Sequence, residues 1–459
     1  MRARFVKAGK AGMARTAMAL ALSTGLVAGG AMLGAAPALA KEEKPAPLKL
    51  SPGFTKAAGP MQKALQEAAG SADVKAAGED PAKLGAALAK EKTMLDQAFA
   101  AASTPDDTFV AGQFAVNLGS IAKDPAIQLR GLKAMISSGK PQGQDLAKYN
   151  YFAGSLAYQA KDYASAETYL QAAVDQHFAG ADVGGLLAET YFADNKPQQG
   201  LESLKAAIAA KQAAGTPAPE NWYKRGMSVA YQNKLAPQAI EWSQMLVKAD
   251  PSPINWLNAG QVTREFAKPE FTSQESLDLG RLLLRSGGLN NQPKFVEREY
   301  VEYVQAADPR RNPGEVVKVI NAGVAAGALN ASDTFVSDAL SQAKGRIAGD
   351  KASLAGLESD ARKAANGMTA MAAGDAFLSY DQPAKAEEMY QLALSKGGVE
   401  TERVETRLGI AQADQGKYAD AQTSFARVTG ARKALADLWT IYAQQKAAPA
   451  PAPAAPAAN

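Results

Sequence analysis

The chain holds a single histidine, His177, and no cysteine, which bounds the chemistry it can perform. A Ser/His/Asp relay could draw only on His177, a Cys/His pair cannot be assembled, and a two-histidine metal site is impossible. Zinc sites need more nitrogen or sulfur ligands than one histidine supplies. His177 falls at the tail of a helical segment, where a surface or capping role is the simpler account. Neither GxGxxG nor GxxxxGKS/T occurs, and the pairs Gly184-Gly185, Gly287-Gly288 and Gly397-Gly398 read as helix ends or packing positions. Asp106-Asp107 and Glu387-Glu388 are adjacent residues, which on a helix do not face one another and make poor acid/base pairs. Glu189, flanked by Leu187, Tyr191 and Phe192, is the carboxylate worth following, because burial beside aromatics can lift a carboxyl pKa toward a working range. No second carboxylate is placed beside it, so a solvated groove position is the favoured reading. No cofactor and no metal site are expected.

The elements that would position such residues are helical hairpins. From Ala147 to Ala214 one pattern occurs twice: Gly154 and Ala188, Ala157 and Tyr191, Asp162 and Lys196, Leu170 and Leu204, and Ala173 and Ala207 are each 34 residues apart. Apolar residues recur at spacings of three and four within each half, and AKDYAS and ADNKPQQ supply the polar breaks. A period of this length with small residues at fixed places marks stacked helical pairs. On Gly154, Tyr158, Ala166, Leu170 and Ala173, and again on Leu187, Ala188, Tyr191, Leu204 and Ala207, the sequence resembles the tetratricopeptide repeat family. The second copy departs at Gly200, where the first has Ala166.

The pattern continues. Trp222, Gly226 and Ala230, then Ala239, Trp242 and Leu246 with a stop at Pro251, form a third copy, and Asn255-Trp256 and Gly260 begin a fourth 34 residues after Asn221-Trp222 and Gly226. A clean pair returns with Gly374, Phe377, Ala386, Tyr390 and Ala393, followed by Leu408, Gly409, Ala421, Phe425 and Val428, and a closing helix around Leu435, Leu438, Trp439 and Tyr442. Residues 53–146 and 268–366 read as divergent helical regions around repeats at 147–267 and 367–446. Within 268–366, GEVVKVINAGVAAGAL has the Val/Ile density of a strand, while its glycines and helical neighbours favour a short helix pair. The fold class expected is all-α, a tetratricopeptide-like hairpin solenoid. The family resemblance further implies a right-handed superhelix with a concave groove lined by first-helix residues, here Lys148, Tyr151, Tyr158, Gln159, Glu189, Phe192, Lys224, Tyr231, Gln232 and Asn258.

Arg2, Arg4, Lys7, Lys10 and Arg15 precede an uncharged stretch from Thr16 to Pro37 and the small-x-small sequence Ala38-Leu39-Ala40, which reads as a signal peptide over 1–40. An uncleaved anchor is the competing reading, since the stretch is long enough to span a bilayer. The whole chain has 50 basic and 46 acidic residues, a net +4. Without the five basic residues of the leader, 45 face 46, a net −1, so no basic footprint for nucleic acid survives. Residues 41–52 read as a flexible spacer and 447–459, rich in Ala and Pro, as a mobile tail. These readings converge on a non-enzymatic scaffold of the bacterial envelope, periplasmic or secreted, that holds a protein or extended peptide, without a membrane span once the leader is removed. The alternative is an envelope enzyme, such as a glycan-cleaving one, framed by the repeats and using Glu189 as its acid.

Overall fold

A computed structural model describes residues 48–267 and 271–448. The expected signal peptide, most of the spacer and all but the first two residues of the Ala/Pro-rich tail lie outside these residues. The fold is all-α, a tetratricopeptide-like array of helical hairpins with no strand among the described residues. The chain divides into two compact units, one ending at Asp194 and the other beginning at Asn195.

The first unit contains α1 (Pro52–Ala68), α2 (Ala72–Ala77), α3 (Pro81–Ala87), α4 (Ala89–Ala101), α5 (Pro105–Ile121), α6 (Pro125–Ser137), α7 (Gly143–Gln159), α8 (Tyr163–Asp175) and α9 (Val183–Ala193). The second contains α10 (Pro197–Ala213), α11 (Glu220–Gln232), α12 (Ala236–Ala249), α13 (Pro253–Phe266), α14 (Ser273–Ser286), α15 (Pro293–Ala307) and α16 (Pro313–Ala325). It continues through α17 (Thr334–Lys363), α18 (Met368–Ser379), α19 (Pro383–Lys396), α20 (Thr401–Asp414), α21 (Tyr418–Ala426), a 3-10 turn (Gly430–Arg432) and α22 (Lys433–Ala447).

Local chemistry sets the helix ends. Proline opens α1, α3, α5, α6, α10, α13, α15, α16 and α19, where its missing N–H costs nothing and its fixed φ suits the first turn. Thr104 with Asp107 and Thr272 with Glu275 form capping boxes at α5 and α14. The tight reversals inside hairpins each place one residue at positive φ: Lys123, Lys161, Lys234 and Asp381 at +50° to +61°, and Gly416 at +76°. The polar break AKDYAS read in the sequence is the Lys161 turn, and ADNKPQQ turns at Asn195, φ +58°. GEVVKVINAGVAAGAL, which permitted a strand and favoured a short helix pair, instead gives one helix over its first twelve residues, within α16, with Val316, Val319, Ile320 and Gly323 buried, and a turn over its last four. Gly200 does not interrupt α10; it is buried in the helix's first turn.

Hairpins close through a repeated contact. The glycine of the first helix faces a large side chain 16 residues later: Gly154 meets Leu170, Gly226 meets Trp242, Gly374 meets Tyr390 and Gly409 meets Phe425, each so near that an added Cβ would fall 2.2–2.6 Å from the partner. Helix ridges can approach this closely only where one side chain is absent. Ion pairs displaced by about one hairpin add register. Arg130 reaches Asp96 at 2.6 Å in the first unit, and Arg264 reaches Glu299 at 2.6 Å in the second.

The described end of the expected spacer, residues 48–51, is held against the start of α5. The Lys49 N–H donates to Asp106 at 2.6 Å, and Asp107 accepts from the N–H groups of Ser51 at 2.9 Å, Ser103 at 3.0 Å and Thr104 at 3.1 Å. Burial of Asp107 would raise its pKa, but these donors outweigh it and lower the value from 3.8 to about 2. A depressed carboxyl contributes stability above its unfolded pKa and loses it as pH falls through the folded one, here between about 4 and 2. Asp107→Ala is therefore expected to cost about 2–4 kcal/mol at pH 7, since three backbone donors lose their acceptor, and less at pH 3. Urea denaturation at both pH values checks this; an equal loss at each would sink it.

Candidate functional site

The expected groove residues fall on two faces, one in each unit. In the first, α7 carries Lys148, Tyr151, Tyr158 and Gln159, and α9, which packs beside it, carries Glu189 and Phe192. Gln159 is exposed and the other five are half-buried. Tyr151 stacks on Phe178 with ring centroids 5.3 Å apart and leans on Phe152 at 5.3 Å, while Tyr158 leans on Tyr163 at 6.0 Å. Partial burial, then the nearby Asp182 carboxylate, pushes the Tyr151 phenol up, which keeps its hydroxyl protonated as a donor. On α7 the result is a pair of half-buried rings, each packed against neighbouring rings, with Lys148 and Gln159 flanking them along the helix.

In the second unit, Lys224, Tyr231 and Gln232 lie on α11 and Asn258 on α13. Lys224 and Gln232 are exposed; Tyr231 and Asn258 are half-buried. Tyr231 meets Phe266 edge-on at 5.3 Å, Lys224 pairs with Glu220 at 2.5 Å, and the Gln232 amide donates to Ser228 at 3.0 Å. His177, exposed with φ +53°, terminates the hairpin after α8, the end-of-helix place its sequence position suggested. Trp242, Trp256, Tyr390 and Phe425 are fully buried, as core positions should be.

A buried cluster of charge lies elsewhere, inside the second unit, in residues the sequence reading did not single out. Asp278 of α14 is fully buried and accepts from three guanidiniums: Arg281 at 3.0 Å, Arg407 at 3.1 Å and Arg432 at 2.8 Å. Arg281 forms a two-point pair with Glu315 at 2.8 and 2.6 Å, and Glu315 also accepts the Tyr303 hydroxyl at 2.7 Å. Arg407 extends the chain of contacts to Asp375 at 2.7 Å and Gln274 at 2.9 Å, and Asp375 accepts from Tyr390 at 2.7 Å. Four helices and the 3-10 turn contribute charged members, α14, α16, α18 and α20 with Arg432, and Tyr303 and Tyr390 reach in from α15 and α19.

Burial alone would push the Asp278 carboxyl up, but Arg407, Arg432 and Arg281 overcome it and hold the group well below the usual carboxylate range. Burial likewise opposes ionisation of Glu315, and Arg281 reverses the sign. Asp278 and Glu315 are thus held as anions by the guanidiniums around them, and the cluster ties helices together. The carboxyl that burial does push up is Glu405 on α20, with only Arg427 at 3.5 Å opposing. The sequence signal for the cluster was Asp278 and Arg281, three apart inside the leucine-rich run SLDLGRLLLR, where charged residues share the helix with the core.

Among the described residues no group of three or more His, Cys, Asp or Glu side chains is placed to hold a metal, and no helix is long and apolar enough to cross a membrane. No protein-family model matches the chain, and no curated protein matches it. Solved structures with some likeness include Naa15/Naa10 bound to HypK-THB, 13% identical over 84% of this chain and 67% of that one at a TM-score of 0.28. The human IFIT1 dimer with PPP-AAAA is 10% identical over 82% and 86% at 0.20, and a circular tandem repeat protein is 12% identical over 86% and 96% at 0.14. Superpositions this loose carry no argument, and the functional reading rests on the residues themselves.

Proposed function

We propose that this protein is a non-enzymatic scaffold of the bacterial envelope that holds an extended peptide or a segment of a partner protein. The observation that carries the reading is the pair of half-buried aromatic rings on α7, where Tyr151 and Tyr158 lie two turns apart, with Lys148 one turn before the first and Gln159 directly after the second. Rings held rigid by their neighbours on one side lose little entropy when the other side is covered, and such anchors dominate binding energy while polar side chains at the rim fix register. Tyr151→Ala with Tyr158→Ala is expected to weaken capture of the partner from an envelope extract at least tenfold, with helicity by circular dichroism unchanged. Equal capture by both proteins removes these residues from the site, and glycan hydrolysis abolished by Glu189→Gln would replace the scaffold reading with the enzymatic one.

Export supports the envelope assignment and is testable separately. The basic start, the uncharged stretch and Ala38-Leu39-Ala40 lead to cleavage after Ala40 and a mature protein beginning at Lys41. N-terminal sequencing of the protein from fractionated cells checks this; Met1 retained in a membrane pellet would refute it.

A further inference from the structure

Stacked hairpins ordinarily touch only their neighbours, so stability is a sum of local terms and the terminal repeat frays first. The second unit departs from that rule. Its last helix, α22, packs against α20 and α21, as sequence order requires, but also against α12, α13 and α14. The ties run along the whole helix. Arg432, just before its start, donates to Asp278 of α14 at 2.8 Å; Gln244 of α12 donates to the Ala434 carbonyl at 3.4 Å. At its middle the Trp439 indole N–H donates to the Asp278 carbonyl at 3.2 Å, and near its end Gln445 donates to the Val247 carbonyl at 2.9 Å. Tyr442 meets Trp256 of α13 edge-on at 6.4 Å, and beside this seam Arg285 of α14 grips Asp414 at the end of α20 through two contacts of 2.6 and 2.7 Å.

We infer that the turn Gly430–Arg432 and α22 form a clasp that closes α12–α22 into a ring, so that the C-terminal helix and the α12–α14 segment open together or not at all. Detaching α22 takes Arg432 and the Trp439 N–H away from Asp278 and uncovers the buried side of Trp256. The loss therefore falls on residues more than 150 positions earlier in the chain, and not only on the terminus. This inference is independent of the peptide-binding reading of α7.

Hydrogen exchange on the full chain, read by mass spectrometry, tests it with changes at opposite ends of the clasp. Arg432→Met and Tyr442→Ala are each expected to speed exchange about tenfold or more in α22 and in α12–α14 by a common factor, leaving α5–α8 of the first unit unchanged. Faster exchange confined to α22, or different segments responding to the two variants, overturns the clasp. Should either variant fail to fold, the unaltered protein in sub-denaturing urea gives the same answer: α22 and α12–α14 sharing one urea-dependent opening supports the ring, and α22 opening alone at lower urea refutes it.

Discussion

Asp278→Ala is expected to lower the stability of the second unit by about 3–5 kcal/mol, the penalty typical of removing one partner from a buried ionic cluster. The magnitude follows from what remains behind. Arg281 and Arg407 are fully buried and Arg432 nearly so, and all three direct N–H groups at the one carboxylate. Arg281 keeps Glu315 and Arg407 keeps Asp375, but Arg432 is left with Glu275 at 2.9 Å, and its Nε already lacks a hydrogen-bond partner. Asp278→Asn preserves shape yet brings an amide N–H₂ toward guanidinium donors, so it should recover only part of the loss. Lys318→Ala provides the contrast. Its 2.6 Å contact with Asp381 is as short as the buried ones, but both side chains are about half exposed or more, and the change should cost under about 1 kcal/mol. Urea denaturation of the three variants decides between these expectations; similar losses for Asp278→Ala and Lys318→Ala would mean that the buried cluster contributes no more than a surface pair. The pH dependence has a definite sign. Because the folded carboxyl is depressed, its contribution is complete above the unfolded pKa and is lost only as pH falls through the folded one, so the cluster holds throughout the neutral and mildly acidic range.

The hairpins were legible because their determinants are local. Spacings of three and four, Asp162 capping α8 and Pro383 opening α19 each act within a turn or two of chain. The 34-residue recurrence around Gly154 and Gly226 was legible for a related reason, since each repeat solves the same packing problem with the same small residue. The ring closure was not. Asp278 and Arg407 are 129 residues apart, and Asp278 and Arg432 are 154 apart; no periodicity links them, and an Arg in a helix ordinarily reads as a solvated face. The local signal was Asp278 and Arg281 set among Leu277, Leu279, Leu282 and Leu283 of α14, charged residues on the stretch of helix that the core buries. The groove residues were nominated by resemblance to a family's geometry, and the structure adds their surroundings: packed rings under Tyr151, Tyr158 and Tyr231, and open water around Gln159, Lys224 and Gln232.

Glycine substitutions separate packing from propensity within this one protein, because alanine at a helical glycine gains about 1 kcal/mol wherever space allows. Gly345 and Gly349 lie in α17 with nothing within 4 Å of an added Cβ, so Gly345→Ala and Gly349→Ala are each expected to stabilise by about 0.5–1 kcal/mol. At Gly226 the same methyl would sit 2.2 Å from the Trp242 ring, and at Gly374 it would sit 2.5 Å from the Tyr390 ring. Neither ring can step aside: Trp242 is 1% exposed, Tyr390 is 0% exposed, and the Tyr390 hydroxyl is fixed to Asp375. Overpacking of this kind typically costs about 1–3 kcal/mol net, and at Gly374 displacement of Tyr390 also withdraws a donor from Asp375, next to Arg407. Gly374→Ala should therefore be the more damaging of the two, and combining it with Tyr390→Phe should cost less than the two single changes added, since both remove the same hydrogen bond. Denaturation midpoints for the four glycine variants, for Tyr390→Phe alone and for the double variant supply the measurement. Stabilisation at all four glycines would show that hairpin approach is not limited by these contacts, and strict additivity of Gly374→Ala with Tyr390→Phe would disconnect the hairpin glycine from the buried ionic cluster.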